Sequence, residues 1–252
     1  MTPGAHRRAP DSHGPGSVMD KIAGAFRAAF ELIVSLDPEL GEIVLRSLHV
    51  SVSAVALATV IGLPLGAAIA LFRFPGRTAL TVLLNGLLGL PPVVVGLMVY
   101  LVLSRAGPLG FLDLLFSVPA MIIAQCLLVT PIIAALSRQM VEDLWEEYEE
   151  QLRSLGSSPL RAIPTLIYDG RYSLLTAVLA GFGRAIGEVG AVLIVGGNIA
   201  HVTRIMTTAI VLETAKGDLA LALGLGLILV VLAVVVNAAV YVIRDAALRR
   251  LG

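Results

Sequence analysis

Two charged residues, Arg184 and Glu188, stand inside the apolar run "GFGRAIGEVGAVLIVGGNI", which is long enough to cross a membrane. Residues four apart lie on the same face of a helix, so this spacing predicts that the two side chains meet. Ionisable groups at membrane depth are costly and either pair or face a cavity. Two interpretations are open: a structural ion pair that joins helices, and a pair that lines or controls a path for a solute.

Polar side chains continue beyond this run in "GGNIAHVTRIMTTAIVLETAKGD", which is too polar to cross and is expected on the outer side. Its hydrogen-bond donors could suit an anion: Asn198, Thr203, Arg204, Thr207 and Thr208. An ordinary polar outer loop is the alternative. Within the run itself, Gly187 belongs with Gly183 and Gly190 to a stripe of small residues that lets another helix approach closely.

Several motifs of catalysis are absent from the sequence. It contains no G-x-x-x-x-G-K-[ST] phosphate cradle, no H-E-x-x-H metal motif and no G-x-S-x-G nucleophile elbow. The four histidines are scattered, and the single cysteine, Cys126, lies in an apolar run where packing is its expected role. We therefore predict no metal site, no catalytic site and no nucleotide hydrolysis by this chain.

Composition places the chain in a lipid bilayer. Hydrophobic residues make up 57% and charged residues 14%, whereas soluble domains are about half apolar and a quarter charged. Eighteen basic residues balance eighteen acidic ones, so nucleic acid is not an expected partner. Since a segment in hydrocarbon must satisfy its own backbone, the predicted fold is an all-α membrane protein.

The N-terminal region divides into two parts. Residues 1–17 are rich in proline, glycine and polar residues, which predicts a disordered tail. Residues 18–40 contain the periodic stretch 20–36, in which Arg27 and Glu31 lie on the face opposite the apolar one. This pattern predicts an amphipathic helix in the membrane interface. A short sixth span is the alternative, although it would bury both charges.

About five runs are long enough to cross. They cover roughly Ile43–Leu71, Leu80–Leu103, Val118–Leu136, Leu174–Gly197 and Leu219–Ile243. Three prolines, Pro64, Pro91 and Pro92, are expected to kink or interrupt their helices.

The distribution of basic residues predicts the orientation. Nine arginines lie on one side: Arg73, Arg77, Arg138, Arg153, Arg161, Arg171, Arg244, Arg249 and Arg250. The two loops of the other side hold three basic residues, Arg105, Arg204 and Lys216. The 138–173 loop and the C-terminus are therefore expected inside, and the N-terminus outside. Five basic residues near the N-terminus, Arg7, Arg8, Lys21, Arg27 and Arg46, argue against this arrangement.

The 138–173 loop is unusually organised for a loop between spans. Glu142–Leu155 predicts an acidic helix with Gly156 after its end, and "PLRAIPTLIY" predicts a second helix with Pro159 in its first turn and Ser157 or Ser158 as its cap. An apolar side on these helices could transmit force from a soluble partner. An ordinary surface loop is the alternative.

The segment "EEQLRSLGSSPLRAIPTLIYDGR" resembles the cytoplasmic coupling loop of binding-protein-dependent ABC importer permeases. Glu150 and Gly156 match the acidic and glycine positions of that family's motif, whereas Gln151-Leu152 and Tyr168-Asp169 depart from it. "GFGRAIGEVGAVLIVGGNI", "TRIMTTAIVLETAKGD" and "GLPPVVVGLMVYLVLSRAGPLGF" resemble the oxyanion branch, most closely tungstate-uptake permeases, with molybdate and sulfate permeases related. The resemblance covers roughly residues 40–245.

The resemblance implies an ABC transmembrane type-1 permease domain over residues 41–252, in a prokaryotic cytoplasmic membrane. It implies a homodimer that binds two ATPase subunits inside and receives solute from an external binding protein. ATP and magnesium would be held by the partners, with no cofactor on this chain. Coupling is expected at Glu150, Leu155, Gly156, Leu160 and Ile163. The translocation path is expected to border Arg184, Gly187, Glu188, Asn198 and Thr207.

Other functions compete with this one. A molybdate or sulfate permease would have the same architecture, and the sequence alone does not separate these tetrahedral dianions. A gradient-driven secondary transporter often contains internal repeats, and none is visible here. A scaffold subunit without transport has little need for charges buried in its spans.

Overall fold

The computed structural model describes residues 37–248, together with residues 23, 24, 26, 27, 30, 31, 34 and 35. Side chains are described through residue 242, except those of residues 240 and 241. The predicted disordered tail at 1–17 lies outside the described residues. Within the predicted interfacial helix, residues 23, 24, 26, 27, 30, 31 and 34 are helical. Its position in the interface stays a prediction.

The described part of the chain is helical throughout its regular structure. The helices are α1 (Pro38–Leu71), α2 (Arg77–Leu87), α3 (Pro92–Leu103), α4 (Val118–Ser154), α5 (Pro159–Asp169), α6 (Arg171–Ile186), α7 (Gly190–Gly196), α8 (Met206–Lys216) and α9 (Leu219–Leu248). A single 3₁₀ turn, Gly110–Leu112, lies between α3 and α4. The predicted all-α membrane fold is confirmed.

Within the part of the chain that the structure describes, three helices, α1, α4 and α9, are each long and apolar enough to cross a membrane. The count reaches five if each bent pair is one span. The α2–α3 pair bends by 103° and the α6–α7 pair by 58°. The predicted interruption at Pro91 and Pro92 is confirmed in the second run, whereas the break in the fourth run was not predicted. Pro91 and Pro92 account for the first bend, because proline lacks the N–H and clashes with the preceding turn.

Helix α1 begins five residues before the predicted span, at Pro38. Asp37 caps it, since its Oδ1 accepts from the backbone N–H of Glu39 at 2.9 Å and of Leu40 at 3.1 Å. Proline in the first turn loses no intrahelical bond. Pro64 lies inside α1 without ending it. Helix α1 therefore begins before residue 41, where the permease domain was predicted to begin.

Helices α1 and α4 form the most extensively packed pair. A side-chain carbon added at Gly62 would stand 3.1 Å from Ile133, and one at Gly66 would stand 2.0 Å from the Ser137 hydroxyl oxygen. The two contacts have the same offset along the chain, so the helices run parallel. One end of the bundle contains residues 71–77 and α5. We refer to it as the α5 end.

Candidate translocation site and coupling loop

The carboxylate of Glu188 bonds to both helices at the break between α6 and α7. Helix α6 ends at Ile186, and Gly187 and Glu188 lead into α7 at Gly190. Glu188 is 2% exposed. One carboxylate oxygen accepts from the Ala191 backbone N–H at 3.0 Å and so caps the first turn of α7. The predicted ion pair also forms, because the other oxygen lies 2.5 Å from Nη1 of Arg184.

The two members of this ion pair differ in access. The Arg184 side chain retains 32% of its exposure and the Glu188 side chain only 3%. A charge pair in a low-dielectric setting stabilises only when both partners remain. Arg184 is therefore the more accessible member of the pair in the described structure, and Glu188 is the buried member.

The segment after α7 is exposed at residues 199–202 and then turns into the bundle, where it bonds to the α6–α7 break and to α1. Thr207 donates its hydroxyl to the backbone oxygen of Glu188 at 2.7 Å, and the Met206 N–H donates to the Ser47 hydroxyl of α1 at 2.7 Å. Thr203, Thr207 and Thr208 are all buried. The polar segment is thus exposed in its first part, whereas its threonines are buried and bond to the backbone oxygens of Gly196, Glu188 and Ile205. Its placement on the outer side stays a prediction.

The threonine hydroxyls expected to suit an anion are occupied within the chain. Thr203 donates to the Gly196 backbone oxygen, and Thr208 donates to that of Ile205 at 3.1 Å. Asn198 donates its amide to the Thr208 backbone oxygen at 3.3 Å. The structure thus gathers Arg184, Gly187, Glu188 and Thr207 at one break, with Asn198 bonded to the residue after Thr207.

Sequence reasoning missed Gln125, which joins α4 to the same break. Its amide nitrogen donates to the Ala185 backbone oxygen at 3.0 Å, and its amide oxygen is buried without a hydrogen-bond partner. The signal was available, since a glutamine inside the apolar stretch "MIIAQCLL" is unusual at membrane depth. Gln125 therefore holds the end of α6 against α4.

The small-residue stripe packs closely only in part. A side-chain carbon at Gly190 would stand 2.9 Å from Val93 of α3, which explains the glycine at that position. At Gly183 it would meet nothing within 4 Å, and at Gly187 only the backbone oxygen of Gly183 at 3.6 Å. Gly187 instead ends α6, so among the described residues Gly190 is the member of the stripe that another helix approaches closely.

At the α5 end, α4 stops in the turn that the sequence predicts. Gly156 adopts φ +74, where a glycine has no steric penalty. Its N–H donates to the Arg153 oxygen, and the Ser157 N–H donates to the Leu152 oxygen, both at 2.9 Å. This pair of bonds is a Schellman motif. Ser158 then occupies the cap position of α5, ahead of Pro159.

The predicted coupling residues fall into two groups. Leu155 is 82% exposed, Leu160 is 64% exposed, and Glu150 is exposed on the last turns of α4. Ile163 instead packs against a buried cluster that includes Trp145 and Leu166. Leu155 and Leu160 thus project around the turn between α4 and α5, whereas Ile163 packs against the cluster that joins these two helices.

These features define a class of protein: a helical membrane protein with several spans, in which the turn between α4 and α5 projects two exposed leucines at one end. The model of the family described as "Binding-protein-dependent transport system inner membrane component" matches residues 62–252. The chain therefore belongs to this family of transport permeases, whose fold is that of type I ABC importers.

Three relatives are similar over most of their length. A tungstate uptake system permease protein TupB from Peptoclostridium acidaminophilum is 40% identical, covering 90% of this chain and 100% of the relative. A probable anion ABC transporter permease protein from Haloferax volcanii is 42% identical, covering 69% of this chain and 77% of the relative. A TupB from Campylobacter jejuni is 35% identical, covering 80% and 84%.

Proposed function

We propose that this chain is the permease subunit of an ATP-driven importer for tungstate or a similar tetrahedral oxyanion. The observation that carries the proposal is its 40% identity to a tungstate uptake permease along that relative's whole length. Arg184, the more exposed member of its ion pair with Glu188, supplies guanidinium N–H donors inside a span, which suit an anion.

In this proposal the transporter contains two copies of the chain and two ATPase subunits, and an external binding protein delivers the anion. The arginine-rich α5 end faces the cytoplasm, in agreement with the positive-inside rule. The chain itself hydrolyses nothing, since ATP and magnesium are held by the ATPase subunits. Its family membership supports this division of labour.

Translocation in this proposal passes the break between α6 and α7. A helix broken at membrane depth is tolerated where it borders protein or a cavity. Arg184 faces the anion, and Glu188 and Thr207 keep the break in shape through their bonds to Ala191 and to the Glu188 backbone. Leu155 and Leu160 dock in the ATPase, so that closure of the ATPase pair moves α4.

We expect cells that express this chain with its ATPase and binding protein to accumulate tungsten in an ATP-dependent manner. Cellular tungsten is measured by inductively coupled plasma mass spectrometry, with molybdate and sulfate as competitors. Near-complete loss of tungsten uptake in the presence of equimolar molybdate or sulfate would reassign the substrate. Uptake that persists without the ATPase and follows an ion gradient would make the chain a secondary transporter.

Replacing Leu155 and Leu160 by serine should weaken ATPase binding without unfolding the permease, because both side chains are exposed. Full burial of a leucine contributes about 1.5–3 kcal/mol, so each replacement should lower the affinity at least about tenfold. Co-purification of the ATPase with the permease measures the effect. Phe111→Ser is the matched control, since Phe111 is equally exposed but far from this loop in the sequence. Undiminished binding by the double variant would remove these leucines from the interface.

A further inference from the structure

Arg77 ties the end of one span to the next helix. Its Nε donates to the Ile69 backbone oxygen at 2.8 Å, and its Nη2 donates to the Ala70 oxygen at 3.0 Å. These carbonyls belong to the last turn of α1, which has no intrahelical donors for them. Because Arg77 is also the first residue of α2, one side chain fixes the connection between α1 and α2.

The same guanidinium group reaches α4. Nη2 of Arg77 lies 2.6 Å from Oε1 of Glu142, and Oε2 of Glu142 accepts from Arg138 one turn earlier on α4. The Glu142 carboxylate therefore binds two arginines, Arg77 of α2 and Arg138 of α4. All three side chains are partly buried, at 17–30% exposure. Charge-assisted bonds of this kind are about twice as strong as neutral ones.

Glu142 lies between the membrane part of α4 and the coupling loop. Towards the membrane, Gly66 and Ser137 hold α1 and α4 in backbone contact. Towards the loop, Val141 and Trp145 of α4 pack in one buried cluster with Leu166 of α5, and Ala67, Ala70 and Leu71 of α1 complete that cluster. The Arg77–Glu142 bridge thus lies beside the cluster that α1, α4 and α5 share, and Arg77 joins α2 to it.

We propose that Glu142 is a positioning residue that makes α1, α2 and α4 move with α5 as one rigid unit. This inference rests on the proposed function, because the movement is driven through Leu155 and Leu160. With the carboxylate neutralised, Arg77 still caps α1, and the buried cluster still holds α5. The ATPase therefore still binds and cycles, while its movement reaches α1 and α2 less completely.

The test compares Glu142→Gln with Glu146→Gln in the complete transporter, reconstituted with its ATPase and binding protein in liposomes. Glu146 is exposed on the same helix one turn further on, so it controls for the loss of one acidic charge. We expect the ratio of tungstate transported to ATP hydrolysed to fall about tenfold in Glu142→Gln, within the usual range of coupling between sites. The ratio should stay unchanged in Glu146→Gln.

A second variant distinguishes a loss of coupling from a loss of folding or assembly. Arg77→Gln should lower the same ratio, and the double variant Arg77→Gln/Glu142→Gln should lower it no further than Arg77→Gln alone, because Arg77→Gln already removes the contact with Glu142. A normal ratio in Glu142→Gln would overturn the inference, as would failure of that variant to assemble, which would assign the bridge to folding. If the unaltered transporter shows no ATP-driven uptake, the proposed function fails instead.

Discussion

The Gly66→Leu variant is expected not to accumulate as a folded protein. A side-chain carbon at this position would stand 2.0 Å from the Ser137 hydroxyl oxygen and 2.4 Å from the Ala134 backbone oxygen. The second contact is with backbone, which no rotamer change can relieve. Overpacking a core costs about 1–3 kcal/mol, and more where helices must separate. The yield of monodisperse protein in detergent measures the effect.

Gly86→Leu is the control for this substitution. It makes the same chemical change within α2, where an added carbon would meet nothing within 4 Å. The control should retain the yield and the thermal unfolding midpoint of the unaltered protein. A normal yield of Gly66→Leu would mean that α1 and α4 do not meet at Gly66.

Glu188→Ala should destabilise the protein by about 1–3 kcal/mol, the usual cost of leaving a buried hydrogen-bonding group without its partner. The substitution leaves Arg184 without its carboxylate and the Ala191 N–H without its acceptor. Thermal unfolding of the purified protein in detergent measures the loss. A midpoint that is unchanged would show that the carboxylate does not stabilise the break.

The double variant Arg184→Ala/Glu188→Ala separates the two interpretations of the ion pair. It should be more stable than Glu188→Ala, because no charge is left unpaired, and should keep only the loss of the α7 cap, about 1 kcal/mol. Tungstate uptake per folded molecule then decides the role of Arg184. Uptake near the unaltered level would make the pair purely structural, whereas a loss of uptake in a folded protein would place Arg184 on the path.

The sequence predicted the spans well because apolar length is a local property. It divided α4 into a span ending at Leu136 and a separate acidic helix from Glu142, whereas the structure has one helix of 37 residues. Nothing between these positions breaks a helix, and Val141 and Trp145 continue a buried face. The change from apolar to acidic composition marks where the helix leaves the membrane, not where it ends.

The candidate site was predictable only in part. Arg184 and Glu188 are close in sequence, so their pairing followed from helical spacing. The break at Gly187 did not, because a glycine inside an apolar run is compatible both with close packing and with a helix end. The Arg77–Glu142 bridge joins residues 65 positions apart, and local pattern carries no information about such a contact.

The contact between α1 and α4 also has a consequence for how the protein is made. Ser137 is translated 71 residues after Gly66, which corresponds to roughly 4–14 s at ribosomal speeds of about 5–20 residues per second. During that interval the first span has no α4 to pack against. Its mean hydropathy of 2.2 suits it to lipid, and the Ser47 hydroxyl bonds to the Ile43 oxygen of its own helix. The composition of the first span therefore suits it to the bilayer before α4 is synthesised.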